Sequence, residues 1–317
     1  SGALFQGRGE SGEASGESGH VHLPREHRGH LRRNRVGGRN ARGKKVLRLH
    51  PRRDGRLQGA LPRDVGLRRE ACEPGGQREA HPRRHRLCLG PWPHEAPGAY
   101  YDWAIKRGHE VSLTKLYQGE KLPVDSSKID LLIVMGGPQS PHTTVEECPH
   151  FDAQAEIALI KDAIAHDKRI IGVCLGAQLL GEAYGAPVEH SPEKEIGNFP
   201  ISLTQAGKTD KRLTYFGKTV TVGHWHGDMP GMTEGAQILA ASQACPRQII
   251  KYSDKHYAFQ CHLEFSKDMV QDLLAQEVDY DEQVATHPYI QTKQEILTYD
   301  YSQMNHLLEQ FLDAYTK

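Results

Sequence analysis

The chain has 317 residues, with 40 Lys and Arg against 40 Asp and Glu, and no apolar run approaches the roughly 20 residues that a bilayer-spanning helix needs. Its six cysteines are scattered and none forms a C-x-x-C pair, which speaks against a zinc knuckle or a disulfide framework and fits reduced thiols in the cytoplasm. The opening Ser1-Gly2 reads as a tag remnant, and no signal peptide is expected.

The neutral total hides a split. Residues 1–95 hold 19 Arg and 2 Lys against 10 acidic residues, whereas residues 96–317 hold 4 Arg and 15 Lys against 30. The first part has no Ile, Thr, Tyr or Met, and its only Phe is Phe5. Bulky apolar residues that could offset chain entropy are scarce there, so residues 1–85 read as an Arg/Gly/Pro/His-rich low-complexity segment without a fold. Three readings are open: a basic arm binding nucleic acid through phosphates, a solvated extension, or out-of-frame translation of a GC-rich gene. The surplus of residues with GC-rich codons favours the third, and nucleic acid is then not an expected partner. Residues 86–317 are expected to form the folded domain.

Leu87-Cys88-Leu89 suits a short strand, stopped by Gly90-Pro91-Trp92-Pro93. Pro97-Gly98 precedes a helix from Ala99 to Arg107, ended by Gly108. His109 to Leu113 alternates like a strand. Ile129 to Met135 is continuously apolar, as in a buried parallel strand, and ends in Gly136-Gly137-Pro138. A helix from about Phe151 to His166 leads to the strand Arg169-Ile170-Ile171. This βαβα alternation predicts an α/β fold with a mostly parallel central sheet and helices on both faces. Short strand-like runs follow at Ile196 to Leu203, Thr219 to Val222, Gln237 to Ala241, Gln248 to Tyr252 and Tyr257 to Cys261. They predict a small antiparallel extension. Helices near Ser266 to Gln276 and Gln291 to Tyr315 close the chain, the last with a core-facing stripe of Met304, Leu307, Leu308, Phe311 and Leu312.

Chemistry concentrates at three places. The turn Gly172-Val173-Cys174-Leu175-Gly176-Ala177-Gln178 joins a strand to a helix and displays a thiol at its tip. The helix dipole and N–H groups behind Cys174 favour the thiolate. In Cys261-His262-Leu263-Glu264, an extended backbone puts His262 and Glu264 on one face, so that the carboxylate can orient the imidazole toward a nucleophile. Finally, N–H groups of the Gly136-Gly137-Pro138 turn and of Leu175 can make an oxyanion hole. His224, His226 and Asp228 alternate as metal ligands would on a strand.

In this order, the three elements resemble the triad-type class I glutamine amidotransferases over about Glu95 to Lys317. Among them the chain is most similar to free-standing bacterial members related to the amidotransferase part of GMP synthase. The resemblance implies a flavodoxin-like sheet, Cys174 as nucleophile, His262 as base and Glu264 as its orienter. It also implies oxyanion donors at Gly137 and Leu175. Substrate contacts would come from Gly136, Gln178 and the stretch Trp225-His226-Gly227-Asp228, which is similar to the family's S-H-G-D loop. Two departures stand out: Leu263 replaces the usual proline of H-P-E, and Arg86 to His94 is a poor substitute for the strong apolar strand that family members carry just before the position of Glu95 to Gly98, while Trp225 stands in place of the usual small residue of the loop. The resemblance implies no metal and no cofactor.

The expected activity is hydrolysis of the glutamine side-chain amide. No run reads as a synthetase domain, so ammonia is expected to go to a separate acceptor subunit. The alternatives are a γ-glutamyl peptidase or hydrolase using the same triad, and a non-catalytic binding module with this fold.

Overall fold

The computed structural model describes Arg86–Leu89 as a strand and residues 97–317 in full. The expectations for residues 1–85 and for the Gly90 to Pro93 stop lie outside the described residues. The elements run β1 (Arg86–Leu89), α1 (Gly98–Lys106), β2 (Glu110–Leu113), β3 (Leu131–Val134), α2 (Ala153–Ala165), β4 (Arg169–Val173) and α3 (Leu175–Ala183). Then come β5 (Glu189–Leu203), α4 (Gln205–Thr209), β6 (Thr219–Met229), β7 (Gln237–Ala241), β8 (Ile249–Ser253) and β9 (His256–Phe259). The chain closes with α5 (Lys267–Gln276), α6 (Tyr280–Thr286), α7 (Lys293–Thr298) and α8 (Ser302–Tyr315).

Among the described residues the strands form one nine-stranded sheet in the order β2-β1-β3-β4-β9-β8-β7-β5-β6. From β2 to β9 all neighbours are parallel. From β9 to β6 all are antiparallel. The strand expected at Leu87-Cys88-Leu89 is present, and it fills the slot between β2 and β3.

The apolar run in β3 is continuous because both faces are covered. Leu131 and Ile133 join a core with Tyr100 and Trp103 of α1 and Phe311 of α8, whereas Leu132 and Val134 join one with Ile157 and Ile160 of α2. Asp152 starts α2 by accepting the Ala155 N–H at 3.0 Å. The β4–α3 corner is close-packed: a Cβ on Gly176 would lie 1.9 Å from the Val134 carbonyl oxygen, so only glycine lets α3 approach β3 this closely.

Several elements differ from the sequence expectation, among them β5, which starts at Glu189 rather than Ile196, and α4, which was not expected. The strand expected to end at Val222 continues to Met229, because β5 pairs with it along most of its length. The Trp225 region is therefore strand rather than loop. The helix expected from Gln291 to Tyr315 is divided into α7 and α8. Thr292 and Glu295 form a capping box at the start of α7, and Asp300 accepts the Ser302 N–H at 3.0 Å at the break. Helix α6, which has little apolar periodicity, was not expected.

Candidate active site

Cys174 is the residue between β4 and α3, with φ 52° and ψ −111°. A non-glycine residue rarely adopts positive φ, and here the sheet holds it: the Cys174 N–H donates to the Phe259 carbonyl of β9 at 2.8 Å. Leu175 opens α3, and an N–H at that position has no acceptor within its own helix. Gly137 comes from the turn after β3. Both residues line the same cleft as Cys174, a cavity of about 630 Å³. Gly136 is buried but is not part of the cleft wall.

His262 follows β9. Its backbone exchanges two hydrogen bonds with Gly223 of β6, at 2.8 and 2.9 Å. Its Nδ1 lies 2.7 Å from Glu264 Oε1, and both side chains are only 1% exposed. Glu264 Oε2 accepts the Leu263 N–H at 3.0 Å, so each carboxylate oxygen has a partner. Phe265 stacks on the imidazole at 4.2 Å. Burial pulls the imidazolium down, but the Glu264 charge, the nearby Cys174 thiol and the hydrogen bond to Glu264 outweigh it. The ring stays protonated well above its usual range. Leu263 in place of proline leaves the His–Glu pair intact.

Distant elements fix this segment. Asn305 of α8 donates to the carbonyls of Leu263 and Phe265 at 2.7 and 3.1 Å. The Ala99 N–H at the start of α1 reaches the Glu264 carbonyl at 3.3 Å, and a Cβ on Gly98 would lie 2.3 Å from that oxygen. Gly98 is thus required by close approach as well as by its φ of +46°.

The remaining expected residues line the cleft: Gln178, Trp225, His226, Gly227 and Asp228. The Cys174 sulfur lies 3.7 Å from the Trp225 carbonyl oxygen. The Trp225 indole N–H donates to Glu277 at 2.8 Å, and Gln283 of α6 donates to the other Glu277 oxygen at 3.1 Å. Gln178 donates through its side-chain amide to Gln260 at 3.2 Å. The Asp228 carboxylate does not join the two histidines but binds the exposed ring of His190 at 2.6 Å, and only the Asp228 carbonyl oxygen meets His226, at 3.1 Å from Nδ1.

Behind Trp225 the histidines meet a third partner. Ligand atoms of Glu195, His224 and His226 lie within 4.8 Å of one another, and all three residues are buried. This is the one cluster among the described residues with the donor set for a metal ion. The Gln248 amide already reaches its centre, at 2.5 Å from Glu195 Oε2 and 3.4 Å from His226 Nε2. The cluster therefore reads as a hydrogen-bonded wall. Burial pushes His224 down to about 4, so its ring is neutral, while burial raises Glu195 but is outweighed by lowering interactions, the His226 hydrogen bond first among them, so that Glu195 lies below its usual value.

Sequence reasoning missed Glu195, Gln248, Gln260, Glu277 and Gln283. Gln260 had a usable signal, since it precedes His262 and Glu264 at the same two-residue spacing. The others meet the site only through the antiparallel strands and α5–α6.

A glycine-tight elbow carrying a thiol, with a buried His–Glu pair across a parallel sheet, defines a protein of the class I glutamine amidotransferase kind. The family described as Glutamine amidotransferase class-I matches residues 101–278, and the chain belongs to it. The chain is 47% identical over 222 residues to the glutamine amidotransferase-like protein YfeJ of Salmonella typhimurium, which spans 70% of this chain and 93% of that one. The crystal structure of SMU.1228c superposes with a TM-score of 0.72 at 57% identity, covering 73% of this chain and 99% of the other. A glutamine amidotransferase from Methylobacillus flagellatus superposes with a TM-score of 0.63 at 26% identity, over 73% and 93% of the two chains.

Proposed function

We propose that the protein hydrolyses the side-chain amide of glutamine, or of another γ-glutamyl compound, through a Cys174–His262–Glu264 triad. The observation that carries this reading is the 2.7 Å contact between His262 Nδ1 and Glu264, which turns the opposite edge of the ring toward Cys174. The thiolate adds to the amide carbon. The N–H groups of Gly137 and Leu175 receive the developing oxyanion, each donor being worth about 10²–10³-fold in rate. Protonated His262 gives its proton to the departing ammonia, a contribution of about 10²–10⁴-fold. A γ-glutamyl thioester remains. His262, now neutral, takes a proton from water, which attacks the thioester and releases glutamate.

Replacing the nucleophile tests this. Cys174→Ala should lower glutaminase turnover by a factor on the order of 10⁶ while the melting temperature stays near that of the parent. Activity retained in that variant overturns the reading.

A γ-glutamyl peptidase activity is the second reading, favoured by the size of the cleft. A cavity of about 630 Å³ is of the kind that takes ligands larger than one amino-acid side chain. Comparing ammonia release from glutamine with amine release from γ-glutamyl dipeptides separates the two. In the first case a separate acceptor subunit receives the ammonia. We further propose that residues 86–317 form the catalytic domain and that the protein works in the cytoplasm. The out-of-frame reading of residues 1–85 is tested by sequencing the gene upstream of the Glu95 codon. Failure to find a frame encoding an apolar β-strand there would reject it.

A further inference from the structure

The mechanism above leaves one group beside the nucleophile unused. Gln260 is fully buried, and its amide nitrogen Nε2 lies 3.6 Å from the Cys174 sulfur, within hydrogen-bonding range for sulfur. Its backbone is fixed from behind, because the Gln260 N–H donates to the Gln248 carbonyl at 2.9 Å. Its side chain is fixed from the front. Gln178, in the first turn of α3, donates its amide N–H to Gln260 Oε1 at 3.2 Å. Once Oε1 is engaged as the acceptor, the planar amide directs Nε2 at the sulfur. Turning it over would set oxygen against sulfur and give up the bond from Gln178.

A second neighbour of the sulfur, besides His262, has the opposite character. The Trp225 carbonyl oxygen, at 3.7 Å, can only accept. A neutral thiol can donate to Trp225 and accept from Gln260. A thiolate loses the first contact, and the second becomes a charge-assisted hydrogen bond of about twice the strength. We infer that Gln260 is a catalytic residue whose amide N–H stabilises the Cys174 thiolate, and that Gln178 is the positioning residue that aims it. Gln178 thus has a task in the free enzyme, besides any contact with substrate.

The inference rests on Cys174 being the nucleophile, and its test is read without substrate. Iodoacetamide labelling of the full chain is followed by the mass of the Cys174 peptide across a pH series. In Gln260→Met, which keeps the side-chain length but cannot donate, the labelling midpoint should rise by about one unit. Labelling below the midpoint should then be roughly tenfold slower. Turnover at neutral pH should fall by a similar factor, with KM changing less. Gln178→Met should shift the midpoint in the same direction by a smaller amount. An unchanged midpoint in folded Gln260→Met overturns the inference. Should that variant fail to fold, an unchanged midpoint in Gln178→Met does so. Failure of the triad reading would look different: Cys174→Ala would remain active, whatever the labelling profile of the parent.

Discussion

The two halves of the sheet treat buried charge in opposite ways. In the parallel half, Glu156 of α2 lies 4% exposed among the apolar side chains that cover β3, and its Oε1 has no hydrogen-bond partner. Burial, with a smaller contribution from Asp152, pushes it up to about 8, so it is held as a neutral acid over much of the pH range. In the antiparallel half and the turn after β9, the carboxylates Glu195 and Glu264 are equally buried, and Glu195 Oε1 also lacks a hydrogen-bond partner, but each carboxylate has its other oxygen or both engaged and faces histidine. The parallel half sets the Cys174 elbow by backbone geometry, and the antiparallel half with the turn after β9 brings histidine–carboxylate pairs beside it. On the proposed mechanism His262 carries a proton, and Glu264 is the counter-charge that it needs.

Among changes that spare Cys174, breaking that counter-charge should have the largest effect. Glu264→Gln keeps the shape but leaves one acceptor oxygen for two donors, the His262 ring and the Leu263 N–H, and removes the charge that keeps His262 protonated. By analogy with neutralising the acid of a Ser-His-Asp triad, turnover should fall on the order of 10⁴-fold, about 5 kcal/mol of barrier. Steady-state kinetics on the folded variant checks this, and a loss below tenfold would mean that Glu264 does not orient the base. The lone acid of the parallel half makes the contrasting prediction. The folded-state value for Glu156 is raised from 4.5 to about 8, so the folded state holds its proton more tightly. The stabilisation that this gives is complete below 4.5 and is lost as pH rises through about 8. Glu156→Gln cannot lose a proton, so its stability relative to the parent should climb across that window by up to about 5 kcal/mol. Urea unfolding at a series of pH values measures the difference, and a difference that does not change with pH would show that Glu156 ionises without cost.

The proposed nucleophile and its proposed base were legible in the sequence for a local reason. The glycines around Cys174 and the alternation of His262 and Glu264 are short-range patterns, set by one backbone corner and one extended segment. The parallel strands were legible because burial on both faces leaves an unbroken apolar run, as in Ile129 to Met135. The wall behind Trp225 was not. Glu195 and Gln248 are 53 residues apart and meet only because β5, β7 and β8 pair in that order. The spacing of His224, His226 and Asp228 pointed to the wrong third partner. Alternation along one strand says which side chains share a face, but Glu195 arrives from the neighbouring strand, opposite His226 in register. The break between α7 and α8 was hidden because the apolar stripe continues across it, whereas Thr292, Glu295 and Asp300 act through side-chain bonds to backbone.

The rim of the cleft gives the smallest effect and joins elements that lie far apart in the chain. Trp225 belongs to the β6 ribbon, and its indole N–H is held by Glu277 at the end of α5. Gln283 of α6 bridges from Glu277 to Lys194 of β5, donating to the first and accepting from the second at 2.8 Å. The ring of Trp225 also meets Phe265 edge-on at 6.4 Å, and Phe265 is the surface on which His262 rests. Trp225→Phe keeps much of that aromatic contact and removes only the N–H. The lost hydrogen bond to a charged, half-exposed partner is worth about 1 kcal/mol. If the rim serves to hold substrate, KM should rise up to about fivefold with turnover little changed, since an interaction equal in ground and transition states sets binding alone. If turnover falls and KM does not, the indole acts through Phe265 on His262, and the rim belongs with the proton-carrying machinery instead.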